Sequence, residues 1–193
     1  ALFREKLQRF PQLSAVAVGN LGHLPIVEGL GLEVRGDFGL NVFNSRALAF
    51  LRELGLASAT VSFELRHQQV RDLAKLLPCE GIVYGRLPLM VMENCITKNN
   101  VGCRHGAGST LTDRTGAQFP VQCVYGCRNE IENSLPLFLA DKAEWRGCGL
   151  TSARLRFTTE TADECAAVLR RYRGEGDYAP EKYTRGLFYR GVE

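Results

Sequence analysis

The sequence predicts an α/β fold, a partial (β/α) barrel-like domain with parallel strands and an inserted cysteine-rich loop. Three observations carry this prediction. Short apolar runs alternate with helix-sized amphipathic segments over residues 1–90, which is the pattern of βαβ units. Turn-forming residues and four of the seven cysteines are concentrated in the stretch 85–127 that follows. A further strand pattern and an amphipathic helix pattern come after that stretch.

The strands are predicted from apolar and β-branched runs that end at Gly, Asn or Pro. The stretch 32–44 is expected to be extended, with its core strand at 40–43, and the stretch 81–90 is expected to form the fourth strand. A helix-sized crossover separates most of these strands from the next, so we expect them to be mutually parallel. The predicted strands are 14–18, 40–43, 58–62, 81–84 and 153–157.

Helices are expected between these strands. Ser45 is a suitable N-cap for a helix over 46–54, and Gly55 a suitable stop. The other predicted helices lie near 23–30, 66–77, 135–145 and 161–176, and Ser134 is the expected N-cap of the helix over 135–145.

Composition favours one soluble globular domain, because 45% of the 193 residues are hydrophobic and 23% are charged. The patterns divide it into βα units over 1–90, a cysteine loop over 91–130, and a closing helix–strand–helix with a tail over 131–193. No apolar run approaches the ~20 residues that span a bilayer, so no membrane contact is expected. The N-terminus lacks an apolar signal region and the cysteine count is odd, which favours a reduced cytoplasmic protein over a disulfide framework.

The strand ends offer candidates for catalysis. If the parallel strands form part of a barrel, chemistry is expected at their C-terminal ends, where Asn44, Glu64 and Arg86 lie. The Arg86 guanidinium suits an anionic group, and Glu64 or Asn44 would make polar contacts. The alternative is structural, with the Asn and Glu side chains capping helices and turns and Arg86 paired with Glu64.

Four cysteines are the candidate metal ligands. Cys95, Cys103, Cys123 and Cys127 are spaced C-x7-C-x19-C-x3-C. Thiolates gathered in this way bind an iron–sulfur cluster or a zinc ion. Zinc sites usually pair cysteines two to four residues apart, and only the last pair comes close, so spacing alone leaves a cluster, zinc and no metal open. His105 is a further potential ligand.

The other three cysteines, Cys79, Cys148 and Cys165, are not expected to bind metal. Cys165 lies on the apolar face of a predicted helix, where a free cysteine behaves as a small hydrophobe.

Several motifs together resemble family 32 of the unclassified peptidases, the collagenase-like proteins. The motifs are GRLPLMVMENC (85–95), LTDRTGAQFPVQC (111–123), CRNEIENSLPL (127–137), GDFGLNVFNS (36–45), SFEL (62–65) and YTRGLFYRGV (183–192). The resemblance covers nearly the whole chain, which is similar to the later part of the family core domain. It implies that the N-terminal part of the same protein, with earlier barrel strands, is missing. The initial Ala1 in place of Met agrees with this expectation.

The resemblance also implies a function. Several members of the family carry a 4Fe-4S cluster on four cysteines and support oxygen-independent hydroxylation of RNA or of quinone precursors. Carried over by motif, the cluster ligands are Cys95, Cys103, Cys123 and Cys127. In an aerobic preparation the cluster could be lost or replaced by zinc. We also expect a second copy of the chain or the C-terminal segment to cover the open sheet edges.

The alternatives are a collagenase-like peptidase and a zinc-stabilised or metal-free binding protein. The sequence has no H-E-x-x-H and no G-x-S-x-G motif. With three histidines in all, a Cys–His nucleophile would have to combine Cys103 or a neighbour with His105. The net charge of +3 is too small to indicate nucleic acid by itself. A basic tip, Arg170, Arg171 and Arg173, could contact RNA, although such a run is more often a solvated helix end.

Overall fold

The protein is described by a computed structural model over residues 2–102, 109–125 and 127–192. Helices and strands alternate over the first part of the chain, and strands predominate in the middle. The elements in chain order are α1 (Leu2–Gln8), β1 (Ala15–Val18), α2 (Leu24–Val27), β2 (Glu33–Gly36), α3 (Ser45–Glu53), β3 (Ser58–Thr60), α4 (His67–Leu73), β4 (Cys79–Gly85), β5 (Pro88–Met92), α5 (Ile96–Val101), β6 (Ser109–Thr112), β7 (Gln118–Val124), β8 (Arg128–Glu132), β9 (Leu137–Phe138), β10 (Ser152–Arg156) and α6 (Ala162–Tyr172).

The first sheet is a curled half-barrel whose strands follow the order β1-β2-β3-β4-β10, with β9 added to β4. The pairs β1–β2, β2–β3 and β3–β4 are parallel, and β9 runs antiparallel to β4. Parallel pairing was predicted for this part of the chain, with the second strand placed at 40–43. The register sets Val18, Gly36, Ala59 and Cys79 side by side across four strands, and all four are buried. The predicted α/β, partial barrel-like fold is confirmed.

The predicted core strand at 40–43 is wrong. The strand in this stretch is β2, and the chain turns directly after it. The Asp37 carboxylate accepts a hydrogen bond from the backbone N–H of Phe38 and begins a short 3-10 helix, Phe38–Leu40. Within 40–43, Val42 forms only an isolated parallel bridge with Val61.

The segment around the cysteines, 88–132, is more regular than the predicted loop. It contains a four-stranded antiparallel sheet in the order β5-β8-β7-β6, together with α5. The predicted strand 81–90 is two strands, because β4 ends at Gly85 and β5 begins at Pro88 in the second sheet.

The predicted helix at 135–145 is also wrong. Leu137 and Phe138 form β9 instead, opposite Gly85 and Tyr84 of β4. The helices predicted around 46–54 and 161–176 are present as α3 and α6. The N-cap of α3 is Asn44 rather than Ser45.

The chain divides into two compact units, and the division falls within β4 and β10. Unit 1 comprises Ala1–Val83, Asp141–Arg154 and Arg185–Glu193, and unit 2 comprises Tyr84–Ala140 and Leu155–Thr184. The core of unit 1 includes Leu48 and Leu51 of α3 and Val61, all nearly inaccessible to solvent. The core of unit 2 includes Tyr84, Phe138 and Tyr172, and the ring of Tyr172 contacts the other two rings edge to face. Within the described ranges, no helix has the length and apolar character needed to cross a membrane.

Gly85 occupies a position that no other residue can take without cost. Its φ is +115°, and a Cβ added there would lie 1.9 Å from the carbonyl oxygen of Arg156. We expect Gly85→Ala to lower the free energy of unfolding by more than about 3 kcal/mol, since backbone strain of about 1–3 kcal/mol adds to a steric clash. Gly55→Ala is the matched control, because Gly55 also has a positive φ, +83°, but open space around it. Urea denaturation of both variants measures the difference, and equal losses would contradict the clash.

Candidate metal centre

The described candidate ligands lie at one end of the antiparallel sheet. Cys123 in β7 is paired with Asn129 in β8, and Asn129 is paired with Met92 in β5. Cys95 follows Met92 by three residues, and Cys127 immediately precedes β8. The antiparallel pairing therefore brings Cys95 to the same end of the sheet as Cys123 and Cys127, although Cys95 is distant from both in sequence.

Cys95 is the N-cap of α5. Its side chain is 8% exposed, and its sulfur accepts a hydrogen bond from the backbone N–H of Lys98 at 3.3 Å. An N-cap side chain normally supplies an oxygen to this free N–H, and here a sulfur does so. The first turn of α5 is held at the sheet by Thr97, whose hydroxyl lies 2.9 Å from that of Ser109. Cys95 is thus buried and fixed by its own helix.

Asn129 links the two cysteine-bearing elements. Its side-chain oxygen accepts from the backbone N–H of Ile96, next to Cys95, at 2.7 Å. Its side-chain nitrogen donates to the sulfur of Cys123 at 3.5 Å. Asn129 has no solvent exposure. A buried amide that uses both ends in this way fixes the separation of α5 and β7. The sequence analysis did not identify Asn129.

Cys127 has a different environment, because it is exposed at the hairpin that joins β7 to β8. Tyr125 in the same hairpin has a φ of +48° and is 87% exposed. Cys103 and His105 lie outside the described residues. Over 2–102, 109–125 and 127–192, no three His, Cys, Asp or Glu side chains are grouped closely enough to hold a metal ion. The structure brings the Cys95 and Cys123 environments together through Asn129, and the complete four-cysteine site stays a prediction.

Two of the cysteines that were not expected to bind metal are buried thiols that act as donors. Cys79 donates its S–H to the carbonyl oxygen of Leu77, and burial raises the pKa of its thiol to about 11. Cys148 donates to the carbonyl oxygens of His67 and Glu144, and burial raises the pKa of this thiol too. A thiol that donates a hydrogen bond must be protonated, so neither side chain is a ready nucleophile or ligand.

Arg86, predicted to bind an anionic group, makes structural contacts within unit 2. Its Nε donates to the hydroxyl of Thr159 at 3.2 Å, and its Nη1 donates to the carbonyl oxygens of Asn133 (2.9 Å) and Ser134. These bonds hold the chain between β8 and β9 against the segment after β10. A role for Arg86 in binding an anion stays a prediction.

Asn44 and Glu64 are the other two predicted catalytic residues. The Asn44 side chain accepts from the backbone N–H of Ala47 at 2.9 Å as the N-cap of α3, so its oxygen is used structurally. Glu64 is half-buried, and its backbone N–H donates to the hydroxyl of Ser62 at 3.4 Å. Asn44 therefore has the structural role that sequence reasoning held as its alternative.

Two ion networks were not identified from the sequence. In unit 1, the guanidinium of Arg154 lies 2.5 Å from Asp37 and 2.6 Å from Glu80, and Thr60 donates its hydroxyl to Glu80 at 2.9 Å. All four residues are at least partly buried. The recurrence of arginine at every second residue of ARLR was the available signal, because such spacing puts both on one face of a strand.

The second network, in unit 2, surrounds Arg156. Its Nη1 donates to both carboxylate oxygens of Glu132 at 2.8 Å and to the carbonyl oxygen of Arg86, while its Nη2 binds Glu130. Glu132 has no solvent exposure. Its burial raises the pKa of the carboxyl, and Arg156 acts in the opposite direction. Two carboxylates thus share one cation inside unit 2.

Comparison with known proteins gave no match, whether to protein-family models, to curated proteins or to solved structures.

We expect Arg156→Met to lower the free energy of unfolding by about 3–5 kcal/mol at neutral pH, because it leaves Glu130 and Glu132 without a counter-charge. The loss should grow with pH. When folding raises the pKa of a carboxyl, that group's contribution to stability is fully present below its unfolded pKa, about 4.3. The contribution is lost as pH rises through the folded pKa. Removing Arg156 raises this folded pKa of Glu132 further.

Arg185→Met is the control for this substitution. Arg185 forms a bidentate pair with Asp141, at 2.6 and 2.7 Å, and the two side chains are 23% and 33% exposed. We expect a loss of about 0.5–1 kcal/mol there. Denaturation at pH 5 and pH 8 tests both, and an Arg156→Met loss that shrinks with pH would contradict the charge argument.

Proposed function

We propose that the chain provides the cysteine ligands of a 4Fe-4S cluster in an enzyme of the collagenase-like family, which acts in oxygen-independent hydroxylation of RNA or of a small quinone precursor. The observation that carries the proposal is the pair of N–H···S hydrogen bonds at one end of the antiparallel sheet. The sulfurs of Cys95 and Cys123 each accept one, from Lys98 and from Asn129.

The direction of these hydrogen bonds supports thiolate ligands. A neutral thiol is a weak acceptor, whereas an N–H bond to a charged acceptor is roughly twice as strong as one between neutral groups. N–H groups aimed at cysteine sulfurs are among the features that set the reduction potentials of iron–sulfur clusters. The local structure around Cys95 and Cys123 therefore suits sulfurs that carry negative charge.

The residues that would hold the cluster are Cys95, Cys103, Cys123 and Cys127. The cluster, when bound, supplies one-electron redox chemistry. The chain itself contributes a buried ligand at the N-cap of α5, a half-buried one on β7 and an exposed one at the hairpin. Asn129 holds the first two elements together by hydrogen bonds at both ends of its amide.

A peptidase function has less support. Cys148 and His67 are neighbours in unit 1, since the Cys148 sulfur lies 3.3 Å from the His67 carbonyl oxygen. Cys148 is 2% exposed, and burial raises the pKa of its thiol. A nucleophilic cysteine needs a lowered pKa and access to substrate, and Cys148 has neither.

The proposal includes a location and a partner. A reducing cytoplasm keeps cysteine ligands from forming disulfides. RNA is the proposed macromolecular partner, and Arg170 and Arg173 are exposed at the C-terminal end of α6, whereas Arg171 is half-buried and donates to the carbonyl oxygen of Gly176. The N-terminal part of the same protein is a further proposed partner.

We expect the anaerobically purified protein to contain about four iron and four sulfide ions per chain and to lose them on Cys95→Ser, Cys103→Ser, Cys123→Ser or Cys127→Ser, because each removes one ligand. Iron and acid-labile sulfide analysis and electron paramagnetic resonance of the reduced protein measure this. Cys165→Ser is the matched control. Cys165 is half-buried in α6 and is not a proposed ligand, so its substitution should leave the cluster unchanged.

Stoichiometric zinc without sulfide would replace the proposal by a structural zinc site. Full iron content in all four variants would show that other residues hold the cluster. Circular dichroism of each variant confirms that any loss of iron does not come from unfolding.

A further inference from the structure

Tyr125 lies in the hairpin that joins β7 to β8, and it is unusually exposed for an aromatic residue. The residue is 87% exposed, and its side chain makes no hydrogen bond or ring contact with any residue that the structure describes. Its φ of +48° lies in the left-handed region, which a bulky side chain occupies only at an energetic cost. Packing within the described protein therefore does not account for the ring, whereas a partner outside the chain would.

Cations flank Tyr125 at this end of the antiparallel sheet. Arg128 begins β8, is paired in register with Val124 next to Tyr125, and has a side chain that is 47% exposed. Lys98 is exposed on α5, and that helix begins at the same end of the sheet. The guanidinium of Arg128 lies 2.7 Å from Glu93, whereas Lys98 forms no ion pair with any described residue. The described charges here therefore leave positive charge in excess beside an exposed aromatic ring.

We propose that this end of the sheet binds single-stranded RNA, with Tyr125 stacked on a base and with Lys98 and Arg128 at the adjoining phosphates. The inference rests on the RNA partner in the proposed function, and it assigns the RNA contact to α5 and the β7–β8 hairpin rather than to α6. Every base has a π-face that stacks on an aromatic ring, and the bases of a single strand are free to do so. Lysine is depleted in protein–protein interfaces but is a regular phosphate contact in nucleic-acid complexes, so the surroundings of the ring favour a nucleic acid over a protein.

The ring is tested in the full chain by fluorescence anisotropy with a fluorescein-labelled oligouridylate of about 12 nucleotides. Tyr125→Gly removes the ring and suits the positive φ, so we expect the RNA affinity to fall about 5- to 150-fold while Tm stays the same or rises. Tyr125→Phe keeps the ring and should bind RNA like the wild-type protein. An RNA duplex of the same length should bind more weakly than the single strand, because its bases are already paired and stacked.

The cations are tested by the salt dependence of RNA binding. We expect Lys98→Gln and Arg128→Gln each to reduce the slope of log affinity against log salt concentration by about 0.7, since each removes one phosphate contact with a single strand. Arg114→Gln is the matched control, because Arg114 is exposed in the turn between β6 and β7 at the opposite end of the sheet. This substitution should leave the slope unchanged.

Wild-type affinity in Tyr125→Gly would overturn the inference, and so would equal binding of the single strand and the duplex. A lower Tm in Tyr125→Gly would show that the ring packs within the protein, and this result would overturn it too. Loss of affinity only in an Arg170→Gln, Arg173→Gln double variant would place the RNA on α6, so the RNA partner would stand and the inference would fail. Absence of oligouridylate binding by the wild-type protein would reject that partner and the inference with it.

Discussion

The ion pair between Glu132 and Arg156 is the interaction on which unit 2 depends. Glu132 has no solvent exposure, so its charge must be neutralised inside the protein. Arg156 does this by donating hydrogen bonds to both carboxylate oxygens of Glu132. The same guanidinium binds Glu130 and the carbonyl oxygen of Arg86. One side chain of β10 is therefore connected to β8 and to the residue after β4. Such a network is costly to break, because a remaining buried charge is left without a partner.

The alternation of β8 explains how this network and the candidate metal centre share one strand. Successive side chains of a strand point to opposite faces, so Glu130 and Glu132 lie on one face and Asn129 and Ile131 on the other. The first face meets Arg156, and the second meets Cys123 through Asn129. A substitution on the charged face can therefore disturb the cysteine end without contacting it.

The sequence predicted those parts of the fold whose signals are local. The apolar runs of β1, β3 and β4 and the capped amphipathic segment of α6 were recognised because neighbouring residues define them. The antiparallel sheet was not recognised, since β5 pairs with β8 across the whole cysteine segment and that pairing leaves no local pattern. The helix expected at 135–145 failed for the same reason, because Leu137 and Phe138 satisfy their backbone groups against β4.

The candidate site shows the same limit. The four cysteines were found by spacing, but Asn129 belongs to no motif and becomes significant only when α5 and β7 are seen on either side of it. The alternation in RNEIE (128–132) was the available signal. It predicts a strand with an acidic face and a mixed face, yet it does not show which elements those faces meet.

Hydrogen-bond direction divides four of the cysteines in a way that is independent of their spacing. Cys79 and Cys148 donate to carbonyl oxygens, so they must carry a proton, and burial raises both pKa values. Cys95 and Cys123 instead accept hydrogen bonds from N–H groups. The ligand role of the second pair stays a prediction, since spacing leaves a cluster, zinc and no metal open. The contacts add a distinction that spacing does not contain, because the sulfurs of the first pair lie against carbonyl oxygens and those of the second pair lie against N–H groups.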